Sequence, residues 1–307
     1  MIKVTLLGTS GLLPTPDRAL TAALLEYEGR SLLFDCGEGT QTAARKASRS
    51  LAKVDLIVLT HYHGDHILGL PGLMQTLFST GRTKPLYIMG PAGLEENMEP
   101  VLKLAGQLSY DIHLIQTGGR TRLCDIISGF PKEACLTGFP TKHRVVSTGY
   151  SFELERQGVF LPQKAQELGI PVHLWKMLQH GESVTVGDRI IEPDMVMGEK
   201  RNGLKFIFTG DTSPCKSLTD AAMNADLMIC EATYAEEEHS ALAAERGHMT
   251  FSQAGRCAKD ANVKRLWLAH YSQRIKDPKE YLHLAADIFP SAECGYDGMT
   301  ADLSFTD

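Results

Sequence analysis

Three imidazoles and a carboxylate fall within six consecutive residues, His61-Tyr62-His63-Gly64-Asp65-His66. They follow the apolar run Val54-Asp55-Leu56-Ile57-Val58-Leu59, which reads as a buried strand. A strand that ends in such a turn presents nitrogen and oxygen donors at a fixed point, and imidazole with carboxylate suits zinc or another first-row divalent ion. The bland alternative is a histidine-rich surface turn, but this stretch concentrates more ligating chemistry than a turn needs. It reads as a metal site.

Later segments deliver further donors. Leu204 to Thr209 is an apolar strand ending in Gly210-Asp211-Thr212, Asp226 to Cys230 is another ending in Glu231-Ala232-Thr233, and Val263 to Ala269 is a third ending in His270. Ligands in α/β sheets gather at the carboxyl ends of strands, so these residues are expected to converge on the first cluster. In the N-terminal half, Lys3 to Leu7, Ala22 to Tyr27 and Ser31 to Asp35 read as strands, with Glu28-Gly29-Arg30 as the turn between the last two. A helix is expected from Gly39 to Ala47. Val54 to Thr60 is read as a strand, and after the histidine-rich turn a second helix runs from about Pro71 to Phe78. Strands alternating with amphipathic helices indicate a layered α/β architecture.

Bulk properties narrow the function without choosing it. A chain of 307 residues with 43% hydrophobic and 22% charged content is ordinary for a soluble globular protein. No apolar run reaches the roughly 20 residues needed to span a bilayer, and the chain starts directly into a strand, so a cytoplasmic location is expected. Seven cysteines stand singly with no CxxC pair, which suggests neither a disulfide framework nor a thiolate zinc site. A net charge of -6 repels a polyanion unless basic residues gather locally. No GxGxxG or GKS/T phosphate loop is present.

The chain resembles the metallo-β-lactamase superfamily, and within it ribonuclease Z, the tRNA 3′-end endonuclease. The resemblance runs nearly end to end. It is carried by Leu7-Gly8-Thr9-Ser10-Gly11 with Pro14 and Arg18, by Phe34-Asp35-Cys36-Gly37-Glu38-Gly39-Thr40-Gln41, and by Thr60 to Pro71 with its HxHxDH motif. It continues through His143 with Gly149-Tyr150, Thr209-Gly210-Asp211-Thr212, Glu231-Ala232-Thr233, Gly247-His248-Met249-Thr250 and Ala269-His270. The implied fold is a single metallo-β-lactamase domain over 1–307, a four-layered αββα sandwich with a projecting, exosite-like arm at 151–183.

The resemblance also implies two zinc ions per chain, with manganese and iron equally compatible with such donors. One ion would be held by His61, His63 and His143, the other by Asp65, His66 and His270, with Asp211 between them. Asp65 would also orient the attacking water or take its proton. Glu231 would align His248, which would protonate the departing ribose 3′ oxygen. Asp35 resembles a position that supports the metal histidines. His113, His173, His180, His239 and His283 lack a second ligand nearby and read as structural or solvated. The implied activity is a metal-dependent hydrolase, an endoribonuclease that removes the 3′ trailer from precursor tRNA, acting as a homodimer.

Departures from the family pattern concern substrate and spare the ligands. Pro14-Thr15-Pro16-Asp17-Arg18-Ala19 keeps the Pro and Arg of the Pro-x-Lys-x-Arg-Asn loop but loses its Lys and Asn, and Met249 stands where Ser is usual. The arm reads Pro171-Val172-His173 where the family has Pro-Gly-Pro. In it Arg156, Lys164 and Lys176 face Glu153, Glu155, Glu167 and Glu182, a poor balance for gripping phosphate, and Trp175 reads as packing. A hydrolase of small phosphodiesters or other esters on the same fold is the alternative reading. A non-catalytic scaffold would show eroded ligands, and none is eroded.

Overall fold

Side chains alternate across a strand, and in this chain that alternation sets the layers. The computed structural model describes residues 1–305. Strands β1 (Ile2–Gly8), β2 (Ala22–Tyr27) and β3 (Arg30–Phe34) form an antiparallel meander. Tyr27 pairs with Arg30 across a two-residue turn in which Glu28 and Gly29 both take positive φ (48° and 76°), the geometry that matches strand twist in a tight hairpin. Strands β4 (Leu56–Val58), β5 (Leu86–Gly90) and β6 (Ile112–Gln116) then extend the sheet in parallel. Their crossovers contain helices α1 (Thr40–Lys46), α2 (Gly64–Ile67), α3 (Leu70–Ser79) and α4 (Leu94–Ala105).

A second sheet begins with β7 (Arg120–Arg122), β8 (Ala134–Pro140) and β9 (Thr148–Arg156). Residues 154–204 form a compact unit of their own, longer than the stretch read as an arm. In it helices α5 (Pro162–Glu167) and α6 (Val172–Gln179) and the hairpin β10 (Val184–Val186) with β11 (Arg189–Ile191) surround a small core of Ala165, Ile170, Leu178, Val184, Ile191 and Val196. Trp175 stacks against Phe160, with ring centroids 5.3 Å apart, and its Nε1–H donates to the Ile170 carbonyl at 2.9 Å, so it is a packing residue.

The chain returns through β12 (Arg201–Phe208), α7 (Lys216–Ala222), β13 (Leu227–Glu231), α8 (Ser240–Arg246), α9 (Phe251–Asp260), β14 (Leu266–Ala269), α10 (His283–Ala286) and β15 (Ala292–Cys294). The second sheet has the order β15-β14-β13-β12-β9-β8-β7. Strand β16 (Thr300–Leu303) crosses back to pair antiparallel with β1 at the edge of the first sheet.

Phe34 points from the first sheet to Phe206, Phe208 and Tyr150 of the second, at centroid distances of 5.4, 5.5 and 6.4 Å. Their chain neighbours point the opposite way. Leu33 packs with Ala44, Leu73 and Met98 of the first helical layer, and Ile207 with Leu218, Ala254 and Ala258 of the second. The result is the αββα sandwich of the metallo-β-lactamase fold. Full burial of each such Leu or Phe contributes about 1.5–3 kcal/mol. Among the described residues no disulfide is formed, and no helix is long and apolar enough to cross a membrane.

Two local expectations need correction. Strand β14 covers Leu266–Ala269, where Val263 to Ala269 is expected, because the Val263 amide closes the end of α9 by donating to the Ala258 carbonyl at 3.1 Å. Strand β4 covers Leu56–Val58, where Val54 to Thr60 is expected; the amides of Asp55 and Leu59 still donate to the Ser31 and Met89 carbonyls at 2.9 and 2.7 Å, and the ladder ends at Thr60, whose amide donates to Asp35 Oδ1 at 2.8 Å. The histidine-rich turn is itself partly helical. His63 precedes the single turn α2, and its carbonyl accepts the His66 N–H at 3.0 Å.

Candidate active site

Two groups of donors meet at one carboxylate. In the first group, ligand atoms of His61, His63, His143 and Asp211 all lie within 4.8 Å of one another. In the second, those of Asp65, His66, Asp211 and His270 do the same. Asp211 Oδ2 lies 3.7 Å from His61 Nε2 and 4.0 Å from His143 Nε2, and its Oδ1 lies 3.3 Å from His66 Nε2 and 3.1 Å from His270 Nε2. All seven residues expected from the sequence are thus brought together.

Strand ends do this positioning. β12, β13 and β14 are parallel neighbours, so the residues beyond their carboxyl ends emerge side by side: Asp211 after β12, Glu231 ending β13 and His270 after β14. His270 (φ 59°), Asp35 (φ 54°) and Leu12 (φ 66°) hold left-handed backbone, strain that surrounding structure must sustain and that concentrates at functional sites. Leu12 turns its N–H onto Asp65 Oδ2 at 2.8 Å. Gly11 lies against the His270 ring, and a Cβ there would come within 2.5 Å of it.

The buried chemistry calls for a cation. His66 Nδ1 lies 2.7 Å from the Asp35 carboxylate and His143 Nδ1 lies 2.9 Å from the Gly247 carbonyl. Acceptors at both Nδ1 atoms assign the ring proton there and leave the Nε2 lone pairs facing Asp211. His66 Nε2 and Asp211 Oδ1 are buried and make no hydrogen bond, although they are 3.3 Å apart. Two acceptors in that position require positive charge between them. The same demand appears in the protonation equilibria. Burial alone would lower His66, but Asp211 and Asp35 hold it well above the ordinary imidazole range. Burial alone would raise Asp211, but His270 and His66 hold it well below the usual carboxylate range. His61 is pushed down by burial and by His66, and His63 by burial and by His143, so both favour the neutral, ligating form. The donor set therefore fits divalent metal ions.

Beside the donors stands a carboxylate–imidazole pair. Glu231 Oε1 accepts from His248 Nδ1 at 2.9 Å and from the Thr212 N–H at 2.8 Å. Its Oε2 accepts from the Thr233 hydroxyl at 2.8 Å and from the amides of Thr233 and Met249, each at 3.2 Å. His248 is placed by the start of α9. The Thr250 hydroxyl accepts the Gln253 amide while the Gln253 side chain accepts the Thr250 amide, a capping box that fixes where the helix begins. Burial works against charge on His248, but the adjacent Glu231 outweighs it and raises the imidazole to about 9.

His63, Asp65, His143, Asp211, His248 and His270 line a cavity of about 790 Å³ whose wall also carries Arg144, Arg246, Arg274, Leu12 and Leu68. The arginines answer the objection drawn from net charge, since basic residues are gathered where an anion would enter. No motif marked them in the sequence; only proximity to the donors does. Of the remaining histidines, His113 stacks on Tyr87, His180 and His283 approach backbone carbonyls, and His173 is exposed. His239 differs from expectation in having Glu236 and Glu238 beside it, on an exposed surface.

The family model described as the metallo-beta-lactamase superfamily matches residues 16–133, and one described as a beta-lactamase superfamily domain matches 194–271. The chain is similar to a ribonuclease Z of Lachnospira eligens, 42% identical over 307 residues and covering 100% of this chain and 99% of the relative. A ribonuclease Z of Clostridium tetani is 39% identical over 311 residues, covering 99% of each. Among solved structures, the short form of human tRNase Z superposes with a TM-score of 0.67 at 25% identity, over 99% of this chain and 100% of that one. The metallo-beta-lactamase fold protein YhfI of Bacillus subtilis superposes with a TM-score of 0.67 at 22% identity, over 98% and 100%, and so shares the fold.

Proposed function

The chain belongs to the ribonuclease Z family, and from that premise we propose how its clustered residues divide the work of the family's reaction. It is a metal-dependent endoribonuclease that acts at the 3′ end of precursor tRNA. The observation that carries the assignment is the meeting of two donor sets at Asp211. His61, His63 and His143 would hold one zinc ion, and Asp65, His66 and His270 a second, with Asp211 available to either. Bound there, the metal pair supplies Lewis acidity to the scissile phosphate and makes water nucleophilic at neutral pH.

The protein's own groups complete the reaction. Asp65 is held far below the usual carboxylate range, where burial is outweighed by the hydrogen bond from His270 and the charge of His66; it is anionic and orients the attacking water. His248, kept cationic by Glu231, protonates the leaving ribose 3′ oxygen. Arg144, Arg246 and Arg274 draw the flanking phosphates into the cavity. The chain works as a homodimer in the cytoplasm, as the ribonuclease Z resemblance implies.

The test compares two substrates with the metal-loaded protein. Endonucleolytic removal of the trailer from a precursor tRNA is expected, leaving a 3′ hydroxyl. Rapid turnover of a chromogenic phosphodiester with no cleavage of precursor tRNA would refute the substrate assignment and favour the small-ester hydrolase.

A further inference from the structure

The same three-part device occurs twice at the site, once in each half of the chain. In the first half, the Thr60 hydroxyl lies 2.9 Å from Asp35 Oδ2 and 3.1 Å from His61 Nδ1. In the second, the Thr233 hydroxyl lies 2.8 Å from Glu231 Oε2 and 3.0 Å from His270 Nδ1. Each carboxylate also binds another imidazole directly, His66 on Asp35 and His248 on Glu231. A hydroxyl has a single proton. The carboxylate only accepts, so the hydroxyl must donate to it, and the hydroxyl oxygen is then left to accept the Nδ1–H of the histidine. This order fixes the tautomer of His61 and His270 and aims both Nε2 lone pairs at the donor cluster.

We infer that Thr60 and Thr233 are positioning residues, each transmitting a buried carboxylate's pull to one metal-site imidazole that the carboxylate does not itself reach. The inference rests on the reading of His61 and His270 as ligands. Thr60 is completely buried and Thr233 nearly so, so neither hydroxyl is spent on solvent. The packing is made to fit: Gly210 approaches Thr60 so closely that a Cβ on it would lie 2.6 Å from the threonine Cβ, and Gly210 itself takes φ 58°. Each hydroxyl lies nearest one donor-group imidazole: Thr60 is 3.1 Å from His61 Nδ1 against 3.5 Å from His66 Nδ1, and Thr233 is 3.0 Å from His270 Nδ1 against 3.3 Å from His248 Nδ1. Thr233 additionally joins His270 to Glu231, the carboxylate that holds His248, and so ties a ligand to the proton donor.

The experiment measures zinc retention of the full chain by competition with a chromophoric chelator, with cobalt absorption spectra as a second readout. Thr60→Val and Thr233→Val keep the side-chain shape and remove the hydroxyl. Each is expected to loosen one ion of the pair about 10–100-fold and leave the other tight, while Thr60→Ser and Thr233→Ser retain zinc within a few-fold of the parent. Should a valine variant be recovered unfolded, the alanine variant takes its place in the same titration. Parental affinity in the valine variants would overturn the inference, as would serine variants no better than valine ones, since that pattern belongs to packing. A parent chain that binds no stoichiometric metal would instead overturn the ligand reading itself and this inference with it.

Discussion

Replacing Glu231 with Gln is an isosteric change whose consequences follow from a donor inventory. Oε1 accepts two hydrogen bonds, from the Thr212 amide and His248 Nδ1, and Oε2 accepts three, from the Thr233 amide, the Thr233 hydroxyl and the Met249 amide. A glutamine must set its NH₂ where one of those oxygens was. At Oε2 it would oppose three donors, so it settles at Oε1. There the Thr212 amide is left unpaired, at a cost of about 1–3 kcal/mol of stability. His248 must then accept at Nδ1, which moves its proton to Nε2 and removes the carboxylate that favoured the cation. In the parent the imidazole is raised to about 9, against an ordinary 6.5, a difference worth about 3 kcal/mol. The sign is that of a raised cation: its stabilisation is complete below 6.5 and is lost as pH rises through about 9.

Three results are therefore expected of E231Q. Turnover of precursor tRNA falls about 10²–10⁴-fold, the usual worth of a general acid. Its decline with rising pH begins near the ordinary imidazole value, whereas the parent stays active until about 9. Hydrolysis of a p-nitrophenyl phosphodiester, whose leaving group needs no proton, falls by no more than several-fold. Equal losses on both substrates would refute the proton-donor assignment, and so would undiminished cleavage of precursor tRNA.

Asp211→Asn removes the charge shared by both donor groups, so metal retention is expected to weaken more than about 100-fold with turnover lost in parallel, measured by metal analysis and single-turnover cleavage. Arg144→Ala, Arg246→Ala and Arg274→Ala are each expected to flatten the dependence of log KM on log salt by about 0.7, the share of one phosphate contact, with the chromogenic reaction unaffected. Trp175→Phe keeps the contact with Phe160 but loses the hydrogen bond to Ile170. It is expected to cost residues 154–204 about 1 kcal/mol, read by hydrogen exchange, with no change in phosphodiester hydrolysis.

Some of the site was legible from sequence because its geometry is local. His61, His63, Asp65 and His66 lie within one strand end and one helical turn, and spacing alone keeps donors so placed near each other. The strands carrying them were legible too, because each is covered on both faces, by helices on one side and the other sheet on the opposite one, which leaves near-continuous apolar runs such as Leu204 to Thr209. The end of β4 was not, since a side chain, Asp35, takes the Thr60 amide from the ladder. For the same reason no single-sequence signal singles out Thr60 or Thr233: a hydroxyl's partners are decided in space, and threonine is common in strands.

The distant donors mark the division most clearly. The chain could announce Asp211, Glu231 and His270 as polar residues ending apolar strands and, through family likeness, as ligands and a catalytic carboxylate. Only parallel pairing of β12, β13 and β14 brings those ends within a few ångströms, and only packing of the two sheets through Phe34, Phe206 and Phe208 sets them opposite His61 and His66. Residue type determined which atoms can bind a cation or pass a proton. Hydrogen bonding between strands and burial between sheets decided where those atoms meet, because neither force is written at any one position of the chain.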